Sequence, residues 1–516
     1  MRRLRIAIDP RLAGRHGPEI HWTWRLLLAG IGWAWEEVSL DSACDVAFVA
    51  EPAHAPTARL CIRANPAAWM QPAACRLGRV SRHDGVAWPG FEGEARVADL
   101  VRVSAGRVIC QRDLIFDVFW LATGQEERYW PKDKHGFFDL AGTATLREQV
   151  LRQALASQIS AWLQKTLLNL GCPPPVPRWP HGRRAAAGVG HDVDYPILIR
   201  WLEPLRVIAR QGWCGLCPAW SVLTDGRSHW QFSNWVEMEK QLQTRSAFYF
   251  VARQGSLLEY AAGNPDSFYD ITSERFRQLF RYLAEEDFEV GLQASYLAYQ
   301  SREKFAAERQ RLEEMLGRPV VGNHHHYWHL NPDDVENTLL IHEQVGLQYD
   351  SSLVHDHYLG WRRGLSQPFF PFHQAERREL RTLQIPLAWM DDQLFGLRVH
   401  NPGDRWESLR TLADRVVEQG GCLLVDVHNY VFDDALFPGW AQTYCRLLEY
   451  LLDRGDFWFG TPAEIAEHWI ARYTALVQAS RGLEEGRGES ESSVIGADLH
   501  QSPLSQEVAA PLAVRS

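Results

Sequence analysis

The stretch 185-AAAGVGHDVDYP-196 runs from small apolar residues into His191, Asp192 and Asp194. Ala185 to Val189 has the character of a buried strand, and the polar residues follow its C-terminal end. Two carboxylates this close raise each other's cost of ionisation unless a positive group shares the site. A metal ion is one solution and a solvated turn is another. Taken alone, the stretch leaves both open.

The surrounding sequence says what kind of strand this is. From Arg184 to about Tyr473, strand and helix patterns alternate. The segments "SAFYFVA" (246–252), "FEVGLQAS" (288–295), "PVVGN" (319–323), "LQIPLAW" (383–389), "CLLVDVHN" (422–429) and "FWFG" (457–460) are predicted strands. Residues 273–286, 302–317 and 333–346 carry helix patterns, the second stopped by Gly317. Thr461, Pro462, Ala463 and Glu464 form a capping box with proline at the first helical position. Repeated strand–helix units predict a parallel sheet, and their combined length suits a closed or nearly closed (β/α) barrel.

Three other regions flank it. Residues 1–170 mix short apolar runs such as "CDVAFVAE" with helical patterns, and are predicted to form a smaller α/β accessory domain. One long helix pattern begins at Leu146 and stops at Gly171. Residues 171–183 are rich in proline and read as a linker or domain edge, leaving the barrel to 184–475. Residues 476–516 lack periodicity, are rich in Ser, Glu and Gly, and are expected to be a disordered tail.

Composition excludes several classes. With 516 residues, 46% hydrophobic and 23% charged, the chain has ordinary globular character and room for two domains. Its net charge of −10 offers no electrostatic reason to bind nucleic acid. No apolar run has membrane-spanning length, and the N-terminus lacks the apolar core of a secretory signal, so the expected location is cytoplasmic. The nine cysteines are scattered, with one CxxC at Cys214 and Cys217 and no second pair to complete a zinc site, so we read them as reduced thiols. The 22 tryptophans suit a sugar-binding groove or, for most of them, core packing.

In a parallel barrel, chemistry gathers where strands end. Asp192 and Asp194 lie at such an end, as do Gln293, the run His324, His325 and His326, and His428. Four strand ends with polar groups, three of them bearing imidazole when His191 beside Asp192 is counted, point to one shared site.

These segments together resemble the polysaccharide deacetylases (carbohydrate esterase family four) in their D-x-D variant. "GHDVDYP" resembles the family's first motif, and "RWPHGRR" its usual lead-in. "FEVGLQASY" resembles G-L-H-x-S, and "VVGNHHHYWHL" resembles G-x-R-x-H-Y. "YDSSLVHDHYLGWRRGLSQPFFPF" resembles a Tyr-Asp-Ser-Ser segment followed by G-F-R-x-G and P-F. "IPLAWMDDQL" and "LLVDVHNYVF" resemble the later motifs, and "FDVFWLATGQEERYWPKDKHGFF" resembles part of an accessory domain that precedes some members. The resemblance spans about 110–475.

It implies a distorted (β/α) barrel and metal-dependent hydrolysis of an acetyl group, N-acetyl foremost, on a polysaccharide or its precursor. A divalent ion, zinc by expectation, would be the cofactor. By position Asp192 corresponds to the base, and Asp194 and His326 to metal ligands. His428 corresponds to the general acid, oriented by Asp391. Arg362 corresponds to an arginine that steers the catalytic carboxylate. Two departures stand out: Gln293 replaces the motif histidine and His324 the motif arginine. An amide oxygen is a poorer zinc ligand than imidazole, so His324 is a candidate to stand in. The other reading is a catalytically degenerate barrel that serves as a carbohydrate-binding or assembly module.

Overall fold

The computed structural model describes residues 2–481 except 56, 95–99, 105, 134–137, 139–143, 225, 356 and 397–404. The strand predicted at 185–189 extends from Ala185 to Val193 and is buried along its whole length. It is longer than its apolar run because its exit still pairs with a neighbour: Gly190 to Val193 run parallel to Ala247 to Phe250. His191 and Asp192 therefore belong to the strand itself. Alternation along a strand then turns Asp192 to one face of the sheet and His191 to the other.

This strand is central in a nine-stranded sheet whose pairings are all parallel. On one side lie Ala247–Val251, Glu289–Ala294, Gly322–His325, Tyr349–Asp350 and Leu383–Gln384 in that order. On the other lie Cys422–Asp426 and Leu387–Met390, with Phe457–Phe459 beside the first residues of the central strand. The terminal strands, Leu383–Gln384 and Leu387–Met390, are consecutive in the chain yet unpaired with each other. The sheet thus curls into a (β/α) barrel that stays open at one seam. Crossover helices such as Glu274–Glu285, Arg302–Leu316 and Arg405–Gln419 cover its outside, as parallel pairing requires.

Local signals behave as their chemistry dictates. Thr461 and Glu464 close a reciprocal cap at 2.8 and 3.3 Å at the head of the helix Pro462–Arg481. Gly317 ends Arg302–Leu316 in the left-handed conformation at φ 67°. Gly190 is demanded by space: a Cβ there would stand 2.7 Å from Asp426 Oδ1 and 2.8 Å from the Tyr249 ring.

The N-terminal residues build a second sheet of six strands. Trp35–Val38, Leu4–Ile8, Val46–Val49, Leu60–Arg63 and Arg107–Cys110 run parallel, and Val101–Ser104 is antiparallel at the edge. The single helix expected from Leu146 to Gly171 is two helices, Ala144–Gln153 and Leu155–Asn169. Ala154 between them adopts a left-handed φ of 45°. The break frees the Leu151 carbonyl to accept from the Trp361 amide at 2.9 Å, and the Ser157 amide reaches Gly364 O at 3.1 Å. The "GWRRG" turn is thereby stitched into the break.

The proline-rich segment 171–183 is packed. Arg178 donates to Gly30 O at 2.9 Å and Gly420 O at 2.9 Å, and the buried Trp179 donates to Gly420 O at 3.0 Å. The helix Pro462–Arg481 continues past residue 475 with Leu476 buried; the remainder of the expected tail, 482–516, lies outside the described residues. No helix among the described residues is long and apolar enough to cross a membrane.

Trp469 packs tilted against Trp179 at 5.2 Å and is 1% exposed, joining this helix to the proline-rich segment. Trp469→Ala is expected to lower unfolding free energy by about 3–5 kcal/mol in urea titrations. A loss below about 1 kcal/mol would show that the helix lies outside the cooperative unit.

Candidate active site

The barrel's inner face collects Asp192, Asp194, Gln293, His324, His326, Asp426 and His428, all buried. Period-two alternation sorts the strand-end histidines. His324 and His326 point inward, whereas His325 points outward and pairs Nε2 to Nε2 with buried His342 at 2.8 Å. His191 also faces outward, with Nδ1 at 2.9 Å from Val427 O and Nε2 at 2.8 Å from Glu239. Neither outward residue contributes to the site.

Asp194 is the meeting point. Gln293 Nε2 donates to its Oδ1 at 2.8 Å, His326 Nε2 lies 3.4 Å from the same oxygen, and His428 Nε2 lies 3.3 Å from Oδ2. Behind each imidazole stands a second carboxylate. Asp266 Oδ1 is 3.2 Å from His326 Nδ1, and Asp391 Oδ1 is 2.8 Å from His428 Nδ1. Asp391 also accepts from the His428 backbone amide at 2.9 Å, so ring and backbone are held by one carboxylate.

A second cluster lies deeper. His324 meets Asp192 rather than Asp194, with its ring tilted against Tyr249 at 3.9 Å between centroids. Asp426, which projects into the space left by Gly190, lies beside them. Apart from the His324 Nε2–Asp192 Oδ1 contact, the cluster is poorly served: His324 Nδ1 has no hydrogen-bond partner among the described residues. Gln293 Oε1 also lacks a partner among them. The expected trio of Asp194, His326 and His324 therefore does not gather on one point. The Asp/His groups whose ligand atoms lie mutually within 4.8 Å are Asp192, His324, Asp426 and Asp192, Asp194, His428.

Charges divide between the clusters. Burial opposes ionisation of Asp194, but His326 and His428 outweigh it and hold the carboxylate well below its usual range. Burial likewise opposes protonation of His326, yet Asp194 and Asp266 raise it to about 10. His428 is raised in the same way by Asp391. In the deeper cluster burial wins. It pushes Asp192, with help from the Asp194 charge, up to about 8, lifts Asp426 well above its usual range and lowers His324 to about 4.

Arg362 stands elsewhere. Its guanidinium pairs with Glu127 of the N-terminal region at 3.2 and 2.8 Å and stacks 4.6 Å from the Phe138 ring; no contact with Asp192 occurs. Its counterion, Glu127, also receives Arg363 at 3.0 Å. Sequence reasoning missed Asp266, Asp426 and Glu127. Asp426 had a legible signal: it lies two residues before His428 on a strand, hence on the same face. Asp266 follows a loop of irregular sequence and carries no such mark.

No family model and no curated protein matches the sequence. Solved structures do match. A structure assigned as a polysaccharide deacetylase from Pseudomonas aeruginosa is similar at 19% identity and TM-score 0.39, over 58% of this chain and 96% of that one. An allantoinase is similar at 18% identity and TM-score 0.40, over 58% and 95%. A mutant of a CE4 family pseudoenzyme with restored activity is similar at 10% identity and TM-score 0.26, over 55% and 67%. The fold itself rests on the sheet order and curl given above.

The outward pair gives a pH prediction. Burial lowers His342 to about 3 from 6.5 and keeps it neutral in the fold. The unfolded chain binds the extra proton below pH 6.5, so stability falls as pH drops from 6.5 toward 3, with a limiting slope of about 1.4 kcal/mol per pH unit for this group. His342→Gln should flatten the acid limb of a urea-derived stability profile in that window. Parallel profiles for the two proteins would refute the assignment.

Proposed function

We propose that the chain is a metal-dependent hydrolase of the polysaccharide deacetylase type, removing acetyl groups, N-acetyl foremost, from a polysaccharide or its precursor. The observation that carries this reading is the paired arrangement at Asp194: two imidazoles aimed at one carboxylate, each fixed from behind by another carboxylate. Carboxylate–histidine pairs of this kind set the tautomer and aim the free ring nitrogen of a metal ligand or a proton donor.

The residues fit a divalent cation at Asp194. Ligand atoms bonded at 2.0–2.1 Å to a tetrahedral ion lie about 3.4 Å apart, and His326 Nε2 stands 3.4 Å from Asp194 Oδ1. Gln293 occupies the place of the motif histidine. A half turn of its amide exchanges Nε2 for the unpartnered Oε1 and presents an oxygen in the same position. Asp194, His326 and Gln293 would hold the ion, and binding would displace the extra proton from His326. Zinc is the ion we expect. When bound, the metal supplies Lewis acidity toward the acyl oxygen and a lowered pKa for water.

The chain's own residues supply the proton transfers. Asp192, raised to about 8, is a base matched to near-neutral pH, two residues from Asp194 on the same face. His428, kept protonated by Asp391, returns a proton to the leaving amine. Arg362 holds the N-terminal region against the rim through Glu127.

One observation favours the non-catalytic carbohydrate-binding reading. Where the motif carries an imidazole, Gln293 gives Asp194 an amide N–H at 2.8 Å, a weaker group for a metal. Assays of zinc-supplemented protein on N-acetylated oligosaccharides separate the two. Acetate release should fall about 10²–10⁴-fold in Asp192→Asn and in His428→Ala. Oligosaccharide binding with no acetate released under any divalent ion would sustain the binding module and overturn the hydrolase.

A further inference from the structure

We propose that the helical hairpin of residues 195–224 docks the protein onto the surface of an anionic lipid bilayer. The chain enters this hairpin directly from Asp194. Its two helices, Glu203–Gln211 and Leu216–Leu223, are joined by the turn Gly212–Gly215. The inner face is ordinary: Glu203, Pro204, Val207, Ala219 and Val222 are buried against the barrel. The outer face is not. Trp201, Trp213 and Trp220 are 71%, 88% and 69% exposed, and Leu205, Leu216 and Leu223 are exposed beside them. Every other exposed position from 201 to 223 is isoleucine, alanine, glycine or cysteine. An apolar surface this continuous marks a docking site.

Its chemistry selects the partner. The face offers no exposed carboxylate, amide or hydroxyl side chain between Trp201 and Leu223 with which a protein surface would form a polar rim. Residues 195–224 carry Arg200, Arg206 and Arg210 against Glu203 alone, a positive excess within a chain of net charge −10. Glu203 is itself buried and occupied by Arg210 at 2.5 Å. Indoles and aliphatic side chains flanked by arginine suit the boundary between acyl chains and anionic headgroups. At 1.5 Å per residue the longer helix reaches only about 14 Å, against a hydrocarbon core of about 30 Å, so the hairpin lies in the interface and does not cross it.

The hairpin is also tied to the rim. Gln211 Nε2 donates to Ala435 O at 2.8 Å and Leu436 O at 3.0 Å, and Arg210 stacks 4.3 Å from the Phe437 ring. These partners belong to the segment that follows His428. Docking would therefore bring the barrel mouth to the lipid surface. The docking stands without the hydrolase reading; resting on that reading, it narrows the substrate to acetylated glycans carried at a membrane.

The test is flotation of the full chain with vesicles of phosphatidylcholine, alone or mixed with phosphatidylglycerol. The unmodified protein should float with the mixed vesicles, less with phosphatidylcholine alone, and less as salt increases. Combined Trp201→Ser, Trp213→Ser and Trp220→Ser should abolish flotation while leaving the melting midpoint and acetate release from soluble oligosaccharides unchanged. Absence of flotation on both vesicles would overturn the proposal. So would a dimer by light scattering that the triple variant converts to a monomer without any flotation, since a second copy would then cover the face. Flotation without hydrolase activity would sustain the docking and count only against the catalytic reading.

Discussion

The organisation of this molecule depends on how one buried carboxylate, Asp194, is neutralised. A charge out of water survives only where opposite charge or hydrogen-bond donors meet it closely. Here His326, His428 and Gln293 converge on it from three different strand ends. Each imidazole is met from behind by a further carboxylate, Asp266 for His326 and Asp391 for His428. The result is an alternating set of charges in which no member can be removed without stranding another. That coupling links three strand ends to the chain leaving the central strand. Any ion that enters must replace a proton here.

The deeper cluster follows the opposite rule. Asp192, Asp426 and His324 are crowded together out of water, so burial pushes the acids up and the imidazole down. The register that places Asp426 opposite Gly190 is what allows the crowding. A carboxylate that holds its proton to higher pH thus sits beside an ionised one, the two set two residues apart where one strand ends. Environment, not residue type, divides their roles. The N-terminal region bears on this rim through Glu127, which engages both Arg362 and Arg363 and is itself buried.

Much of the scaffold is legible in the sequence because its signals are local. The strand–helix alternation, the Thr461–Glu464 cap and the stop at Gly317 each follow from neighbouring residues. Asp192, Asp194, Gln293, His324, His326 and His428 are legible as strand-end residues of a parallel sheet. The partition of the histidine run required knowing that the strand Gly322–His325 includes His324 and His325 themselves. Apolar periodicity put its end at Asn323. The role of Arg362 was read from a motif, and its actual partner lies 235 residues away in the chain, beyond any local pattern. The break at Ala154 arises from contacts with Trp361 and Gly364, which no helix propensity encodes. The apolar outer face of the hairpin is invisible for a different reason: Leu216–Leu223 is apolar on both faces and looks like core.

We propose that Asp194, His326 and Gln293 form a cation site weakened by an amide where an imidazole would bind more strongly. Titration of the full chain with cobalt(II), followed by its visible absorption, tests this most directly. The account predicts saturable binding at one site, lost in Asp194→Asn and in His326→Ala, and tightened with a stronger tetrahedral spectrum in Gln293→His. Spectra without a bound-metal band in the unmodified protein and in Gln293→His alike would contradict it, and would leave Asp194 as a carboxylate neutralised by its own histidines.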